Sequence, residues 1–559
     1  MSAIRSTLFC SVLITLCHLT TAASTPVQVA EGIHGIVAAG HPDATAAGIA
    51  ILQAGGNAVD AAVAVSLALG VAEPYGSGIG GKLSLLYRDA TTGRVTSVEG
   101  LDVASRNLDP AIFRQQDSNT RKLGPHSVAI PGLVAGLIEA HQRWGNLPLA
   151  NVVEPAVKLA EEGFVVHAAQ VRFFRSQLQK LRNDPELSRL YLPGGQLPVA
   201  GRRLVNEDLG RTLRRIGQFG HAGLYEGPVA EAIVSCLRES GSPIDLQDFA
   251  NFRAVVEESI HVAFRGHEIH SAPPPVSGGG VVLLTLAALD GIRLEGTSAR
   301  TPSVMDQVMR VFIEANARGL RILGDAPGSR SNWEAMLQPD QLDELRRSAL
   351  ADSPSAQSSI SLLEEPDHDE LQAAETTHFV VIDGAGNIVS ATQSLSLHFG
   401  AGMVVPGTGI VLNNTLSNFN TISGSPNEVA PGRRPRTTIS PTIIVREGRP
   451  VAALGLPGGA RIPSAVVQVV VDHLQFGTPL EAAIGAPRFH GLNRTNLRYE
   501  TERETDDSLV EALHSRFNWQ NETNEGTETF GGFNAAEILP DGRLRGFADQ
   551  RRSNAAMGF

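Results

Sequence analysis

The sequence predicts an α+β protein, a layered αββα domain in which two antiparallel sheets pack face to face between helices. Three observations carry that reading. Strand signals crowd the last third of the chain, where THFVVID, GAGN and IVSATQS (377–394) run together as a hairpin pattern. The stretch from Ala44 to Val71 has helical spacing, and its second half is apolar all round, so it must be buried. Strand-rich and helix-rich stretches alternate without a regular strand–helix–strand beat, which argues against a Rossmann arrangement.

Taken in order, the chain opens with Arg5, an apolar run from Leu8 to Leu19, and the small residues Thr21-Ala22-Ala23. This is the pattern of a secretory signal peptide over 1–23, and the run of about 12 residues is short for a bilayer span. A retained membrane anchor is the rival reading; the signal places the protein in the secretory pathway or outside the cell. Two consecutive helices follow, parted at Gly55-Gly56-Asn57, where a C-cap gives way to a new N-cap. A glycine loop, PYGSGIGGK, then leads into a strand at Leu83 to Arg88. From Pro131 to about Glu314 the pattern is mostly helical, interrupted by the strand-like HVAFRGHEIHSA. Pro273-Pro274-Pro275 and Ser277-Gly278-Gly279-Gly280 mark a rigid turn and a close backbone approach. Residues 351–375 are polar and acidic with little periodicity, and read as an exposed, flexible linker. After the hairpin come strand signals at GIVLNN, TIIVRE and PVAALGL, a helix over Ser464 to Phe476, and final strands at AAEIL and LRGFAD.

The 559 residues are 42% hydrophobic, enough to bury a large core, and the net charge of −12 argues against nucleic acid as a partner. Cys10 and Cys17 lie in the expected signal, so Cys236 alone remains and no internal disulfide is expected. Asn413, Asn493 and Asn521 open glycosylation sequons; the last two sit in loop-like contexts, while Asn413 lies in an apolar strand–turn context and reads as inaccessible.

For chemistry, GSGIGGK (76–82) nearly writes a phosphate-binding loop, but Leu83 stands where Ser or Thr must follow the lysine, and a strand follows where a helix should begin. It reads as a tight turn packed near a site. The chain shows no H-E-x-x-H, C-x-x-C or G-x-S-x-G pattern, so no metal and no cofactor is expected. The sharper signal is Thr376, where a polar segment meets a strand. A threonine hydroxyl is a weak nucleophile, but at a chain terminus its own α-amine, with an ordinary pKa of about 8, serves as base. That requires a cut between Glu375 and Thr376. If Asp383 pairs with Ile388, the hairpin register sets Thr376 across from about Leu395, with Ser394 and Ser396 on either side. Thr437-Thr438 lie on a short loop between prolines. Gly458-Gly459 follow a strand, and their backbone N–H groups can stabilise an oxyanion.

Together with GGNAVDAAVAVSLALGVAEP (55–74), SGIGG (77–81), PPPVSGGG (273–280), PGRRPRTTISPTI (431–443) and GFADQRRSNAAMGF at the terminus, these stretches resemble the gamma-glutamyltranspeptidase family of N-terminal-nucleophile hydrolases. The resemblance implies self-cleavage into a large subunit (24–375) and a small one (376–559) that stay associated. It implies Thr376 as nucleophile, Ser394 as hydrogen-bond partner of the new amine, Thr437 and Thr438 as ligands of the substrate α-carboxylate, and Gly458 and Gly459 as the oxyanion hole. The implied partners are a small-molecule amide and either water or an acceptor amine. The sequence also departs from the family. Leu101, in LDVAS, stands where an arginine usually pairs with the glutamyl carboxylate. Asn418 stands for an aspartate that holds the glutamyl amine, and Thr415 and Ser396 replace a substrate-side glutamine and asparagine. The expectation is an autoprocessed γ-glutamyl hydrolase or transferase acting on glutathione, its conjugates or another γ-glutamyl amide. Two alternatives stand beside it: the same nucleophile with a different amide or a biosynthetic intermediate as substrate, and an uncut, non-enzymatic binding protein.

Overall fold

The computed structural model describes residues 27–351, 374–491, 493, 496–500, 507–517, 519–525 and 527–559. The expected signal peptide, most of the polar segment before Thr376 and the Asn521 side chain lie outside the described residues.

Fourteen strands build the two main sheets: β1 (Val27–Gly32), β2 (Gly35–Ala39), β3 (Lys82–Arg88), β4 (Val95–Gly100), β5 (Val255–Glu258), β6 (Ile260–Phe264), β7 (His267–Ser271), β8 (Ala374–Asp383), β9 (Ile388–Leu397), β10 (Thr442–Arg446), β11 (Arg449–Gly455), β12 (Asn534–Ile538), β13 (Leu544–Asp549) and β14 (Ala555–Gly558). One sheet has the order β1-β13-β12-β11-β10-β7-β6 and the other β14-β2-β8-β9-β3-β4-β5. Every pairing within them is antiparallel.

The period-2 pattern of β8 shows why the sheets stack. Phe379 and Val381 point into a core shared with helices α1 (Pro42–Gln53) and α2 (Ala58–Ala72). Val380 and Ile382 point the other way and meet Ile443, Val445 and Ala453 of the opposite sheet. The far face of that sheet, with Ile444 and Leu454, packs against α3 (Ser277–Asp290), α4 (Pro302–Ile322) and α5 (Arg461–Phe476). The layers are therefore helix, sheet, sheet, helix, as the sequence predicts. The 55–57 break also falls as expected: Asn57 caps α2 in a capping box with Asp60, and all fifteen residues of α2 are buried. No helix among the described residues is long and apolar enough to cross a membrane.

Two expectations are corrected. The hairpin is offset by one residue, since Ile382, not Asp383, pairs with Ile388. Asp383 N–H donates to Asn387 O (3.1 Å) and Gly386 N–H to Asp383 O (3.0 Å), closing a three-residue loop with Gly386 at φ 86°. A left-handed glycine is what this turn type requires. A bulge between Glu375 and Thr377 then shifts the ladder, so that Glu375 pairs with Ser396. The strand also begins at Ala374, upstream of the expected cut, because β9 extends to Leu397 and pairs with it. Second, GIVLNN yields only a two-residue strand, Ile410–Val411, paired with Val404–Val405. Beyond it Asn413 turns its side chain to the backbone, donating to Gly80 O (2.8 Å) and Ala129 O (2.9 Å). Asn413 is fully buried, the inaccessible position that its apolar context predicts.

Candidate active site

Thr376 occupies the β8 bulge, almost wholly buried, and its Oγ1 donates to Ser394 Oγ at 3.3 Å. Ser394 Oγ also accepts from the Ser396 N–H at 2.9 Å. The glycine loop is wrapped around this pair. Leu395 N–H donates to Gly76 O (3.1 Å), and Phe399 N–H to Tyr75 O (2.9 Å). A Cβ on Gly76 would stand 3.4 Å from Thr376 O, and one on Gly81 only 2.3 Å from Ser394 O. The loop's glycines thus let its backbone touch both strands, which bears out the tight-turn reading over the phosphate-loop one.

The Thr376–Ser394 pair opens onto a cleft of about 850 Å³, open solvent at its mouth included, whose lining also holds Ser396, Asn418, Thr437 and Thr438. Two motifs that stand apart in the sequence meet at its wall. Thr437 O accepts from Ser277 N–H (2.9 Å) and Gly278 N–H (3.2 Å), and a Cβ on Gly278 would lie 1.9 Å from Thr438 O. The glycines of PPPVSGGG are there so that the first turn of α3 can support the Thr437-Thr438 loop. Thr438 Oγ1 donates to Gly459 O at 3.0 Å, tying the loop to the Gly458-Gly459 pair. Those glycines, at φ 139° and 57°, sit between β11 and the start of α5; they adjoin the cleft through Thr438 and are not among its lining residues. The expected site residues therefore gather in one place, with Thr415 one hydroxyl further in: its Oγ1 lies 2.9 Å from Ser396 Oγ.

The positions where the sequence departs from the family hold what sequence reasoning missed. Lys82, at the head of β3 and directly paired with Ser394 of β9, sends its ammonium into the cleft lining. It donates to Ser396 Oγ and, at 3.0 Å, to Thr415 Oγ1. Behind it lies Asp102, whose Oδ2 accepts from Thr415 Oγ1 at 2.5 Å and stands 3.9 Å from Lys82 Nζ; its Oδ1 accepts from Gly132 N–H at 3.2 Å. Both ions are fully buried, which pushes the lysine down and the carboxyl up from their ordinary values, while their mutual attraction opposes both shifts. Ser396 is held at φ 79°, an uncommon conformation for a residue with a Cβ, and Asn418 Nδ2 donates to its Oγ at 3.4 Å. KLSLLYR, apolar but for Ser84 and its charged ends, sets Lys82 at the head of a buried strand but does not show what it meets. The Leu83–Gly100 pairing of the β3–β4 ladder brings Lys82 beside LDVAS. Leu101 itself is buried and apolar, and Arg106 points elsewhere, its Nε donating to Asp248 at 3.0 Å. His378, conspicuous behind the paired threonines, is buried between the sheets with Nδ1 2.8 Å from Thr392 Oγ1; burial pushes its pKa down to about 3, so it is a neutral packing group.

A family model for gamma-glutamyltranspeptidase matches residues 44–559. The chain belongs to the gamma-glutamyltranspeptidase family. Among its curated relatives, the glutathione hydrolase proenzyme of Bacillus subtilis (strain 168) is 31% identical over 95% of this chain and 92% of its own length. An acylase ACY 1 proenzyme of a Pseudomonas species (strain V22) is 35% identical over 93% and 92%. The crystal structure of a cephalosporin acylase from Bacillus halodurans superposes with a TM-score of 0.85 at 26% identity, covering 100% of this chain and 99% of that one. With the gamma-glutamyltranspeptidase family comes the N-terminal-nucleophile hydrolase fold, and the chain is an enzyme of that hydrolase and transferase class. The proenzyme relatives and the acylase relatives together show that one self-processing scaffold serves more than one amide within the family.

Proposed function

We propose that the protein cuts its own Glu375–Thr376 bond and then uses Thr376 to transfer the acyl group of a γ-glutamyl amide, such as glutathione or a glutathione conjugate, to water or to an acceptor amine. The observation that carries this is the Thr376 hydroxyl, held by Ser394 in the wall of a cleft that Thr437-Thr438 also line. In the uncut chain Thr376 Oγ attacks the Glu375 carbonyl carbon, and the peptide nitrogen leaves as the Thr376 amine. Water hydrolyses the resulting ester. In the cut enzyme that amine takes the Oγ proton as the hydroxyl attacks the substrate carbonyl, and passes it to the departing nitrogen. The Gly458 and Gly459 N–H groups stabilise the oxyanion, and the Thr437 and Thr438 hydroxyls hold the substrate carboxylate. The large (24–375) and small (376–559) pieces stay together. Arg5 to Ala23 further support secretion with removal of residues 1–23, and Asn493, partly exposed, is the candidate glycan site among the described side chains.

The test is hydrolysis of γ-glutamyl-p-nitroanilide. Turnover by the cut protein, absent in Thr376→Ala, supports the reading. A fully cut protein that releases no nitroaniline would overturn it.

A further inference from the structure

His378 stands two residues beyond Thr376 on β8, so both side chains leave the face of the strand that turns to the opposite sheet. Thr376 lines the cleft, and His378 forms the next row behind it, fully buried. Three contacts hold it there. Its Nδ1 is hydrogen-bonded at 2.8 Å to the Oγ1 of Thr392, its partner across the β8–β9 ladder and two residues short of Ser394. Its carbonyl accepts from Nδ2 of Asn534, the first residue of β12, at 2.8 Å. Its ring lies against Gly455, the last residue of β11, where a Cβ would stand 2.4 Å from the ring's Cε1, 2.6 Å from Nδ1 and 2.8 Å from Nε2. Gly455 is not among the residues of positive φ, so glycine is there to make room for the ring and not to form an unusual turn. Both strands that His378 touches lead to the oxyanion pair. Gly455 is three residues ahead of Gly458. Asn534 is paired with Gly455 and lies three residues beyond Gly531, where a Cβ would come 1.8 Å from Pro457 O.

We propose that His378 is a positioning residue for acyl transfer: its ring is the spacer that sets the nucleophile strand against the Gly458–Gly459 N–H pair. This rests on the acyl-transfer reading above and adds to it a residue that touches neither the substrate nor the reacting atoms. The ring faces Thr392 and Gly455, and Thr376 is served by its own amine, so His378 takes no part in proton transfer. Oxyanion donors act only at hydrogen-bond distance from the place where charge develops, and a misplacement of about 1 Å costs about a hundredfold in rate. A rigid planar ring between two backbones fixes that distance, and the Thr392 contact fixes the ring's rotation. The substrate carboxylate is held elsewhere, by the Thr437 and Thr438 hydroxyls. Loss of the spacer is therefore felt in kcat and little in KM.

The test measures kcat and KM for γ-glutamyl-p-nitroanilide on the purified cut enzyme, per mole of chain that begins at Thr376. His378→Asn keeps a polar atom for Thr392 and removes the outer part of the ring; kcat is expected to fall by about a hundredfold with KM little changed. Gly455→Ala drives a methyl group into the ring and is expected to lower kcat as well. In the double variant the same methyl occupies the space that the ring has left, so adding Gly455→Ala to His378→Asn is expected to raise kcat by about tenfold. A methyl that harms one background and helps the other marks a spacer. Wild-type kcat in His378→Asn, a loss carried by KM, or a double variant no faster than His378→Asn overturns the proposal and leaves the Thr376-dependent turnover of the wild type standing. Should these variants fail to fold or be cut, Thr392→Val decides, since it keeps the side chain's shape and removes only the hydroxyl that holds the ring. A kcat loss of about tenfold at unchanged KM supports the proposal, and an unchanged kcat overturns it.

Discussion

Thr376 and Ser394 show what a single hydroxyl contact has to accomplish here. Before the cut there is no free amine to act as base, so the orientation of the Thr376 hydroxyl depends on its neighbours, and Ser394 Oγ at 3.3 Å is the one that holds it. Ser394→Ala is expected to slow self-cleavage by about tenfold, the worth of one buried hydrogen bond, as followed by the ratio of cut to uncut chain over time. Ser394→Thr should keep the contact and the rate. A different residue-scale effect concerns acid. His41, His378 and His270 are buried, and desolvation pushes their pKa values down to about 3, 3 and 4. In the unfolded chain these rings gain protons below about pH 6.5, whereas in the folded protein they stay neutral until far lower. Their contribution to stability is therefore complete above pH 6.5 and is lost progressively as pH falls towards 3–4, by up to about 1.4 kcal/mol per pH unit for each ring. The buried Glu99 and Asp102 carboxyls, pushed up to about 7, act in the opposite sense over the same range. Denaturant melts of the wild type and of His378→Asn at pH 7 and pH 5 therefore check this: the wild type should lose more stability on acidification than the variant. An equal change in both would mean that the ring is charged, or reached by water, in the folded state.

At the scale of elements, the nucleophile hairpin depends on its turn. Asp383 Oδ1 accepts from Ala385 N–H and Asn387 N–H, both at 3.0 Å, and Oδ2 accepts from Ala58 N–H at 2.9 Å. One side chain thus sets the loop geometry and fastens it to the N-terminus of α2. Asp383→Ala is expected to destabilise the protein by roughly 3 kcal/mol, and thermal melting measures it. Much of this architecture was legible in the sequence. The alternation in β8, the Asn57 cap and the apolar α2 are local patterns, and local patterns are written in consecutive residues. The one-residue offset of the hairpin was not legible, because a four-residue GAGN turn and a three-residue loop with Gly386 at positive φ share the same residues and differ in one hydrogen bond. The bulge at Thr376 was hidden as well, since it arises from pairing with β9 and not from the composition of β8. At the site, Thr376, Ser394, Thr437 and Thr438 could be named because they fall in recognisable motifs. Lys82 and Asp102 could not, because what matters about them is that β3 and β4 carry them behind Ser396 and Thr415, contacts spanning more than 300 residues of chain.

At the scale of the whole molecule, the expected cut falls in the middle of a woven structure. In the sheet that carries Thr376, β8, β9 and β14 come from the C-terminal piece, and β2, β3, β4 and β5 from the N-terminal one; β2 is paired on both sides, with β14 and β8. The other sheet mixes β1, β6 and β7 with β10 to β13. Neither piece can bury its apolar faces alone, so the two fragments are expected to co-elute as one species in gel filtration and to part only in denaturant. Separation under native conditions would contradict that interlock. The same weave explains how one broken peptide bond can create a catalytic amine without loosening the fold around it, since the ladder downstream of Thr376 remains paired on both edges. The central claim is that Thr376 becomes a chain terminus and that activity depends on it. Intact mass and N-terminal sequencing of the purified protein, wild type beside Thr376→Ala, test this most directly. The account expects a wild-type fragment beginning at Thr376 that accompanies amide hydrolysis, and a single inactive chain in the variant; an uncut wild-type chain that hydrolyses amides at full rate would contradict it.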